Sequence, residues 1–146
     1  MTYISKSPGD TIAFGEKVGK LLRKGDMIAY RGGLGAGKTT FTRGLAIGLG
    51  LADNVTSPTY AIVNEYRGDE ISLYHFDMYR IEGGDELEST GFCDYPREES
   101  VFAVEWSENI DEELPADTIF IHIENIDENT RKITVSGDER FADTGH

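Results

Sequence analysis

The sequence predicts a three-layer α/β domain with a mixed, mostly parallel central sheet and a C-terminal hairpin. Short apolar runs bounded by turn residues are typical of buried strands, and the segments between the first of them have helical apolar spacing. The last runs alternate between apolar and polar residues, as half-buried paired strands do. The 146 residues fit one domain. We place it over residues 1–137, followed by a polar tail over 138–146 that we expect to be disordered.

The first third of the chain is predicted to alternate helix and strand. In "SPGD", Ser7 is the predicted N-cap of the first helix, with Pro8 in the first turn and Asp10 at the capping-box position. That helix is expected to end before Gly25. The apolar run "MIAYRG" predicts a buried strand, and "KTTFTRGLAIGLGL" predicts a helix of about three turns that stops at Gly50.

The rest of the chain is predicted to be mainly strand. "YAIVNEYR" and "EISLYHFDMYR" have the pattern of two strands around a hairpin turn at Gly68-Asp69, and "SVFAVEW" that of a buried strand. Between them, "GGDELESTGF" predicts a short helix from Gly84 to Thr90. "DTIFIHIENIDENTRKITVSG" predicts the closing hairpin, with "DENT" at its turn.

Composition limits the classes of partner. There are 14 Lys and Arg residues against 27 Asp and Glu, so the formal net charge is −13. This balance argues against direct, tight binding to the phosphate backbone of a nucleic acid. The single cysteine excludes an intrachain disulfide, and the three histidines are too scattered for a zinc motif. The chain shows neither a signal core nor an apolar run of about 18 residues, which predicts a cytoplasmic protein without a membrane partner.

One segment carries a phosphate-binding motif. "GGLGAGKT", residues 32–39, matches G-x-x-x-x-G-K-[ST] and lies between a predicted strand and a predicted helix, as that motif requires. Glycines let backbone N–H groups approach phosphate oxygens, and the helix N-terminus adds its positive dipole. Lys38 is predicted to reach the β- and γ-phosphates, and the Thr39 hydroxyl to take a Mg²⁺ coordination position. The predicted fold is therefore P-loop NTPase-like.

Hydrolysis or phosphoryl transfer also needs a carboxylate near the metal, and two predicted strands end in one. Glu105 ends the run "VFAVE" and is the first candidate for the Mg²⁺ contact, direct or through water. Asp77 ends "LYHFD" and is the candidate for ordering the attacking water or for a second metal contact. Both acids also have simpler interpretations, Glu105 as a solvated strand end and Asp77 as a cap for the following turn.

Several alternatives stay open at this level. The hydroxyls of "TSPTY" (Thr56, Ser57 and Thr59) either sense the γ-phosphate or belong to a plain turn. His75 is interpreted as a core histidine with satisfied ring nitrogens, in preference to a catalytic one. The N-K-x-D segment that reads guanine is absent, so adenine is the predicted base. A small-molecule kinase and a nucleotide-dependent docking module remain alternatives to an ATPase.

Four segments together resemble one family. "GGLGAGKTTFTRGLAIGLG", "VTSPTYAIVNEY", "LYHFDMYRI" and "VEWSE", in this order and spacing, are similar to the TsaE (YjeE) family of bacterial P-loop ATPases. These proteins take part in making threonylcarbamoyladenosine beside the anticodon of tRNA. The resemblance extends from Ser7 to Trp106 and more weakly to the closing hairpin.

The resemblance implies an ATP- and Mg²⁺-binding protein with weak intrinsic ATPase activity. In the family, the TsaB–TsaD pair stimulates the ATPase, and ATP turnover resets that complex. The resemblance therefore implies that the protein contacts tRNA only indirectly. The implied catalytic residues are Lys38, Asp77 and Glu105, with Thr39 and Glu105 at the metal. Around the adenine the family places residues 10 and 11 and a basic residue, here Arg131 or Lys132. The implied nucleotide-binding residues are Asp10, Thr11, Gly33, Gly35, Ala36, Gly37, Lys38, Thr39, Thr40 and Arg131.

Two positions depart from the family pattern. The family usually has Asp where this chain has Gly33, and Pro where it has Ser107. Loss of an acid inside the loop would alter how the metal or the attacking water is held, whereas Ser107 affects the turn after Trp106. Neither departure removes Lys38 or the two acids, so ATPase activity remains the prediction.

Overall fold

The computed structural model describes residues 1–31, 37–51, 55–56, 63–68, 70–77, 97–105 and 114–141. At positions 55, 56, 63, 64, 77 and 97 the description covers the backbone alone. The described α-helices are α1 (Pro8–Gly19) and α2 (Lys38–Gly48). The strands are β1 (Thr2–Ser5), β2 (Met27–Arg31), β3 (Val55–Thr56), β4 (Val63–Tyr66), β5 (Ser72–Asp77), β6 (Ser100–Glu105), β7 (Ile119–Asn125) and β8 (Arg131–Ser136).

The strands form one sheet of mixed direction. Its eight strands have the order β1-β8-β7-β2-β6-β5-β4-β3. β2 pairs in parallel with β6 and β7, and β6 pairs in parallel with β5. The other pairs are antiparallel, so β4 and β8 run against the remaining six of the eight strands. The predicted mixed, mostly parallel sheet with a C-terminal hairpin is confirmed.

The predicted start of α1 is confirmed. The Ser7 hydroxyl accepts a hydrogen bond from the N–H of Asp10 at 3.1 Å, and the Asp10 carboxylate accepts one from the N–H of Lys6 at 3.0 Å. This reciprocal cap satisfies backbone donors that the start of a helix leaves without partners. The helix ends at Gly19, before Gly25 as expected.

The central strand is buried on both faces. On one face, Ile28 and Tyr30 of β2 pack in the main hydrophobic core with side chains of the two helices, such as Phe14 and Phe41. Successive residues of a strand point to opposite faces, and Met27, on the second face, is only 2% exposed. Burial on both faces is what a three-layer α/β arrangement requires.

Helices α1 and α2 pack with their backbones in close contact. Gly15 of α1 faces Gly44 of α2, and one turn later Gly19 faces Gly48. A Cβ added at any of these positions would lie 2.6 Å or less from a backbone carbonyl oxygen of the other helix. Because the pairs occur in the same order along both helices, the helices run in the same direction and their N-termini lie at the same end.

The closing hairpin is also confirmed. Asn125 of β7 pairs with Arg131 of β8, so the turn spans residues 126–130 and includes the predicted "DENT". The N–H of Ile126 donates to the carbonyl of Thr130 at 2.9 Å, and the N–H of Asn129 donates to the Asp127 carboxylate at 2.9 Å.

Residues 138–141 correct the predicted start of the tail. Glu139–Phe141 form a 3₁₀ turn, and the Phe141 side chain is fully buried. The Arg140 guanidinium donates to both carboxylate oxygens of Asp26 at 2.8 Å and to the carbonyl of Leu21 at 2.9 Å. The packed chain therefore extends to Phe141, because one apolar side chain anchors an otherwise polar segment. Residues 142–146 lie outside the described part of the chain.

The predicted strands before the hairpin correspond to β2, β4, β5 and β6, and β4 and β5 pair antiparallel as expected. No residues before Ser7 were predicted to form a strand, yet β1 pairs with β8 along its whole length. β1 is a short edge strand with Ile4 47% exposed, so it lacks the apolar pattern of a buried strand. The helix predicted from Gly84 to Thr90 lies outside the described residues.

Candidate nucleotide site

The candidate site is built around the N-terminus of α2. Gly37 precedes the helix in the left-handed conformation, with φ of 92° and ψ of 17°, and no side chain caps the helix. This backbone conformation favours glycine. The N–H groups of the first turn have no acceptor within the helix and carry the positive end of its dipole. Phosphate is a suitable ligand for such a helix end.

The first three residues of α2 differ in exposure. The side chain of Lys38 is buried, at 6% exposed, whereas Thr39 is exposed and Thr40 is half-buried. The positive charge of Lys38 helps to lower the pKa of the Glu105 carboxylate, so the two predicted charged groups influence each other electrostatically.

A buried hydrogen-bond chain fixes the first turn of α2 to β2. The Thr42 hydroxyl donates to the carbonyl of Lys38 at 2.7 Å, and it therefore accepts from the Tyr30 hydroxyl at 2.6 Å. Both side chains are fully buried. Burial raises the pKa of Tyr30 far above its usual value, so the phenol remains a proton donor at neutral pH. Neither residue was predicted to support the site.

Glu105 ends β6, next to the strand that precedes the phosphate-binding loop, as predicted. Its side chain is 20% exposed. Burial raises its pKa, but contact with His75 and the charge of Lys38 lower it more, so the net shift is downward. The carboxylate is therefore ionised at neutral pH, which is the form that binds a cation.

His75 lies against this carboxylate. Its Nε2 is 2.8 Å from Oε2 of Glu105, and its side chain is 4% exposed. Within the described residues, neither ring nitrogen has a hydrogen-bond partner of good geometry. The contact is therefore short but not aligned as a hydrogen bond. Burial confirms that His75 is a core residue. Its ring nitrogens are not satisfied among the described residues, however, and neither this nor the contact with Glu105 was predicted.

The second candidate acid lies beside the first in the sheet. Asp77 ends β5, and the register places its Cα opposite that of Glu105 on the neighbouring parallel strand. Both residues therefore stand at the carboxyl edge of the sheet, where ligands of open α/β sheets bind. The side chain of Asp77 is outside the described part, so its catalytic role stays a prediction.

A cavity of about 260 Å³ opens between the starts of the two helices and the turn of the closing hairpin. Two of the residues predicted near the adenine, Thr11 and Arg131, line it, whereas the Asp10 carboxylate caps α1. Arg131 donates to the Asp127 carbonyl of the turn at 2.9 Å, and Lys132 is exposed. The lining residues are Ser7, Pro8, Thr11, Gly37, Thr40, Glu128, Asn129 and Arg131.

Some residues that were predicted to belong to the site lie outside the described part of the chain. The loop residues Gly33, Gly35 and Ala36, and the hydroxyls of Ser57 and Thr59, lie outside the described residues. Trp106, Ser107 and the side chain of Thr56 also lie outside them. Among the helices that are described, none has the length and apolar character needed to cross a membrane.

Comparison with known proteins gives one family. The family model described as "Threonylcarbamoyl adenosine biosynthesis protein TsaE" matches residues 5–133. The chain is similar to the tRNA threonylcarbamoyladenosine biosynthesis protein TsaE of Treponema pallidum, with 37% identity over 93% of this chain and 100% of that protein. It is similar to the protein of the same name from Streptomyces coelicolor, with 45% identity over 88% of this chain and 91% of that protein.

One solved structure supports the same relationship. The crystal structure of Bacillus subtilis YdiB superposes with a TM-score of 0.76 and 32% sequence identity, over 97% of this chain and 88% of that one. The likeness therefore covers nearly the whole chain in both sequence and fold.

Proposed function

Because the chain belongs to the TsaE family of threonylcarbamoyladenosine biosynthesis proteins, we propose that it binds ATP with Mg²⁺ and hydrolyses the ATP slowly. The TsaB–TsaD pair stimulates that hydrolysis, and the protein contacts tRNA only indirectly, through this complex. The observation that carries the proposal is the buried Lys38 at the start of α2, whose charge acts on the ionised Glu105 carboxylate, next to a cavity that both helix N-termini line.

The residues fit a magnesium nucleotide. Mg²⁺ is usually held by one or two protein oxygens together with phosphate oxygens and water. The exposed Thr39 hydroxyl and the Glu105 carboxylate supply such oxygens. The described residues hold no group of three or more His, Cys, Asp or Glu side chains that could bind a metal by itself. When bound, Mg²⁺ neutralises charge that develops on the phosphate oxygens.

Each protein group has a separate task in this proposal. The N–H groups of the first turn of α2 bind phosphate oxygens, and the Lys38 ammonium adds a fixed positive charge beside them. Glu105 orients the metal, and Asp77 orders the attacking water from the neighbouring strand. The cavity between the helix starts and the hairpin turn holds the nucleoside, with Thr11 and Arg131 in its wall.

The proposal is tested first by nucleotide binding. Titration calorimetry with ATP or ADP and Mg²⁺ should give saturable binding that GTP does not match. Lys38→Ala should weaken binding by about 10- to 100-fold, since a hydrogen bond to a charged group contributes about 1.5–3 kcal/mol. The control is Lys24→Ala, which removes an exposed lysine. Equal affinities of the two variants would contradict the assignment of Lys38.

The functional part is tested by activity and by complementation. ATP hydrolysis should be slow for the chain alone and should rise when the TsaB–TsaD pair is added. Glu105→Gln should remove most of that stimulated rate. In cells depleted of the native gene, the unmodified chain should restore threonylcarbamoyladenosine in tRNA, and Lys38→Ala should fail to do so. Restoration by Lys38→Ala would show that nucleotide binding is dispensable.

A further inference from the structure

One buried side chain near the site has no task in the proposed function. His75 is 4% exposed, and neither of its ring nitrogens has a hydrogen-bond partner of good geometry among the described residues. Buried polar atoms in folded proteins almost always have such a partner, so each exception needs an explanation. An apolar residue would fill the same position in β5 without leaving polar atoms unsatisfied.

The surroundings of His75 hold its ring towards the candidate metal acid. Nε2 lies 2.8 Å from Oε2 of Glu105. The ring of Tyr30 packs against the imidazole with 6.0 Å between ring centroids in an edge arrangement. Tyr30 is itself fixed by its hydrogen bond to Thr42. The imidazole therefore contacts both the fixed ring of Tyr30 and the carboxylate of Glu105, and these two contacts restrict the motion of the imidazole.

We propose that His75 is a positioning residue whose Nε2 orients the Glu105 carboxylate for Mg²⁺. This inference rests on the proposed function, since it needs Glu105 to contact the metal. Metal-binding carboxylates are commonly oriented by a neighbouring donor, and loss of that donor weakens metal binding. Hydrogen bonds in binding and catalytic sites are often poorly aligned without the ligand and tighten in the complex, so the short Nε2–Oε2 contact is expected to become aligned when Mg²⁺ binds. Nε2 lies beside Oε2, which leaves the other carboxylate oxygen to contact the cation in this proposal.

Two substitutions separate positioning from packing. His75→Gln keeps a side-chain nitrogen donor near the place of Nε2, whereas His75→Phe keeps the ring and removes the donor. The measurement is the affinity for ADP by calorimetry, once with Mg²⁺ and once with EDTA. The ratio of the two dissociation constants reports the contribution of the metal and does not depend on catalysis. His122→Phe is the matched control, because His122 is exposed on β7.

We expect the magnesium-dependent gain in ADP affinity to fall about tenfold or more in His75→Phe, as for other residues that orient metal ligands. His75→Gln and His122→Phe should keep most of the gain, and affinities in EDTA should be similar throughout. A gain that survives in His75→Phe overturns the inference, and so does an equal loss in His75→Phe and His75→Gln. If the unmodified chain itself shows no gain, the proposed magnesium site is wrong as well.

A second measurement needs no change at His75 and no metal. In protein labelled with ¹⁵N histidine, the ring-nitrogen shifts of His75 should move when Glu105 is changed to Gln, and those of His122 should not. Unchanged His75 shifts would show that the two side chains do not interact in solution, which overturns the inference while leaving the proposed nucleotide site intact. This test remains decisive if His75→Phe fails to fold.

Discussion

Among single residues, Thr42 connects the core to the phosphate-binding helix. Its hydroxyl is the shared partner of the Tyr30 hydroxyl and of the Lys38 carbonyl. The residue that carries the charge of the proposed site is thus tied through its backbone to β2. This buried hydroxyl has a structural role, because it binds the first turn of α2 and fixes where the helix begins relative to the sheet.

Thr42→Val tests this connection. Valine keeps the shape of threonine but removes the hydroxyl, so two buried polar groups lose a partner. We expect the free energy of unfolding to fall by about 1–3 kcal/mol. Urea denaturation measures the change, and Thr42→Ser, which keeps the hydroxyl, should retain most of the stability. Unchanged stability in Thr42→Val would show that the hydroxyl does not hold the helix to the sheet.

Residues that belong to a motif or to a strand end could be predicted from the sequence. Lys38 follows from a fixed spacing, and Glu105 from its place after an apolar run, so both predictions depend on neighbours in the chain. The contact of His75 with Glu105 depends on how two strands pair. The cavity depends on how the hairpin turn approaches the helices. A single sequence does not report distances between segments so far apart, and these features could not be predicted.

At the scale of elements, the crossing of α1 and α2 sets the geometry of the cavity. The helices run in the same direction and touch through four glycines, and their starts line the same cavity. Glycine inside a helix costs about 1 kcal/mol relative to alanine. The four glycines therefore lower the intrinsic stability of the two helices. Their presence indicates that the packing gained by the close approach of the backbones outweighs this cost.

Gly44→Ala measures what the crossing contributes. The new Cβ would collide with the carbonyl oxygen of Ile12, so we expect a loss of about 1–3 kcal/mol in the free energy of unfolding, as for other overpacked sites. The matched control is Gly9→Ala in α1, where the nearest atom to the Cβ would be the Ser7 hydroxyl oxygen at 3.7 Å. That variant should be neutral or slightly stabilised. Stabilisation of both variants would contradict the close approach.

Elements with a strong local pattern were predictable, and those that depend on a partner strand were not. α2 has regular apolar spacing and β6 is uniformly apolar, so each is recognisable alone. β1 and the two-residue β3 exist because β8 and β4 offer them hydrogen-bonding edges. β1 carries little information in its own residues, because Ser5 is the one buried side chain among its four.

At the scale of the whole molecule, the segment after β8 joins distant parts of the chain. Arg140 binds Asp26, in the turn before β2, and Phe141 is buried in the core. The backbone N–H and side chain of Arg140 also donate to Asp138 at 2.9–3.1 Å. A polar sequence predicted as tail therefore forms part of the folded domain.

Asp138 gives this segment a pH dependence. Hydrogen bonds from the Arg140 side chain and backbone lower the pKa of Asp138 to about 2, from an ordinary value of 3.8. Because the folded-state value is the lower one, Asp138 stabilises the fold above about pH 4, and this contribution is lost as the pH falls towards about 2.

Urea unfolding at several pH values across that window checks the assignment. The free energy of unfolding of the unmodified chain should fall more steeply between about pH 4 and about pH 2 than that of Asp138→Asn. Glu139→Gln, which removes a neighbouring exposed carboxylate, should keep the slope of the unmodified chain. Parallel curves for Asp138→Asn and the unmodified chain would show that Arg140 does not hold this carboxylate in solution.

The glycine contacts between α1 and α2 also limit how this sequence can change over evolution. When two side chains collide, a smaller neighbour can compensate for a larger one. Here each glycine faces a backbone carbonyl oxygen, which every amino acid carries, so no second substitution at the facing residue can restore the fit. A larger residue at any of these four positions is tolerated only if the helices move apart. That movement would change the width of the cavity that the N-termini of both helices line.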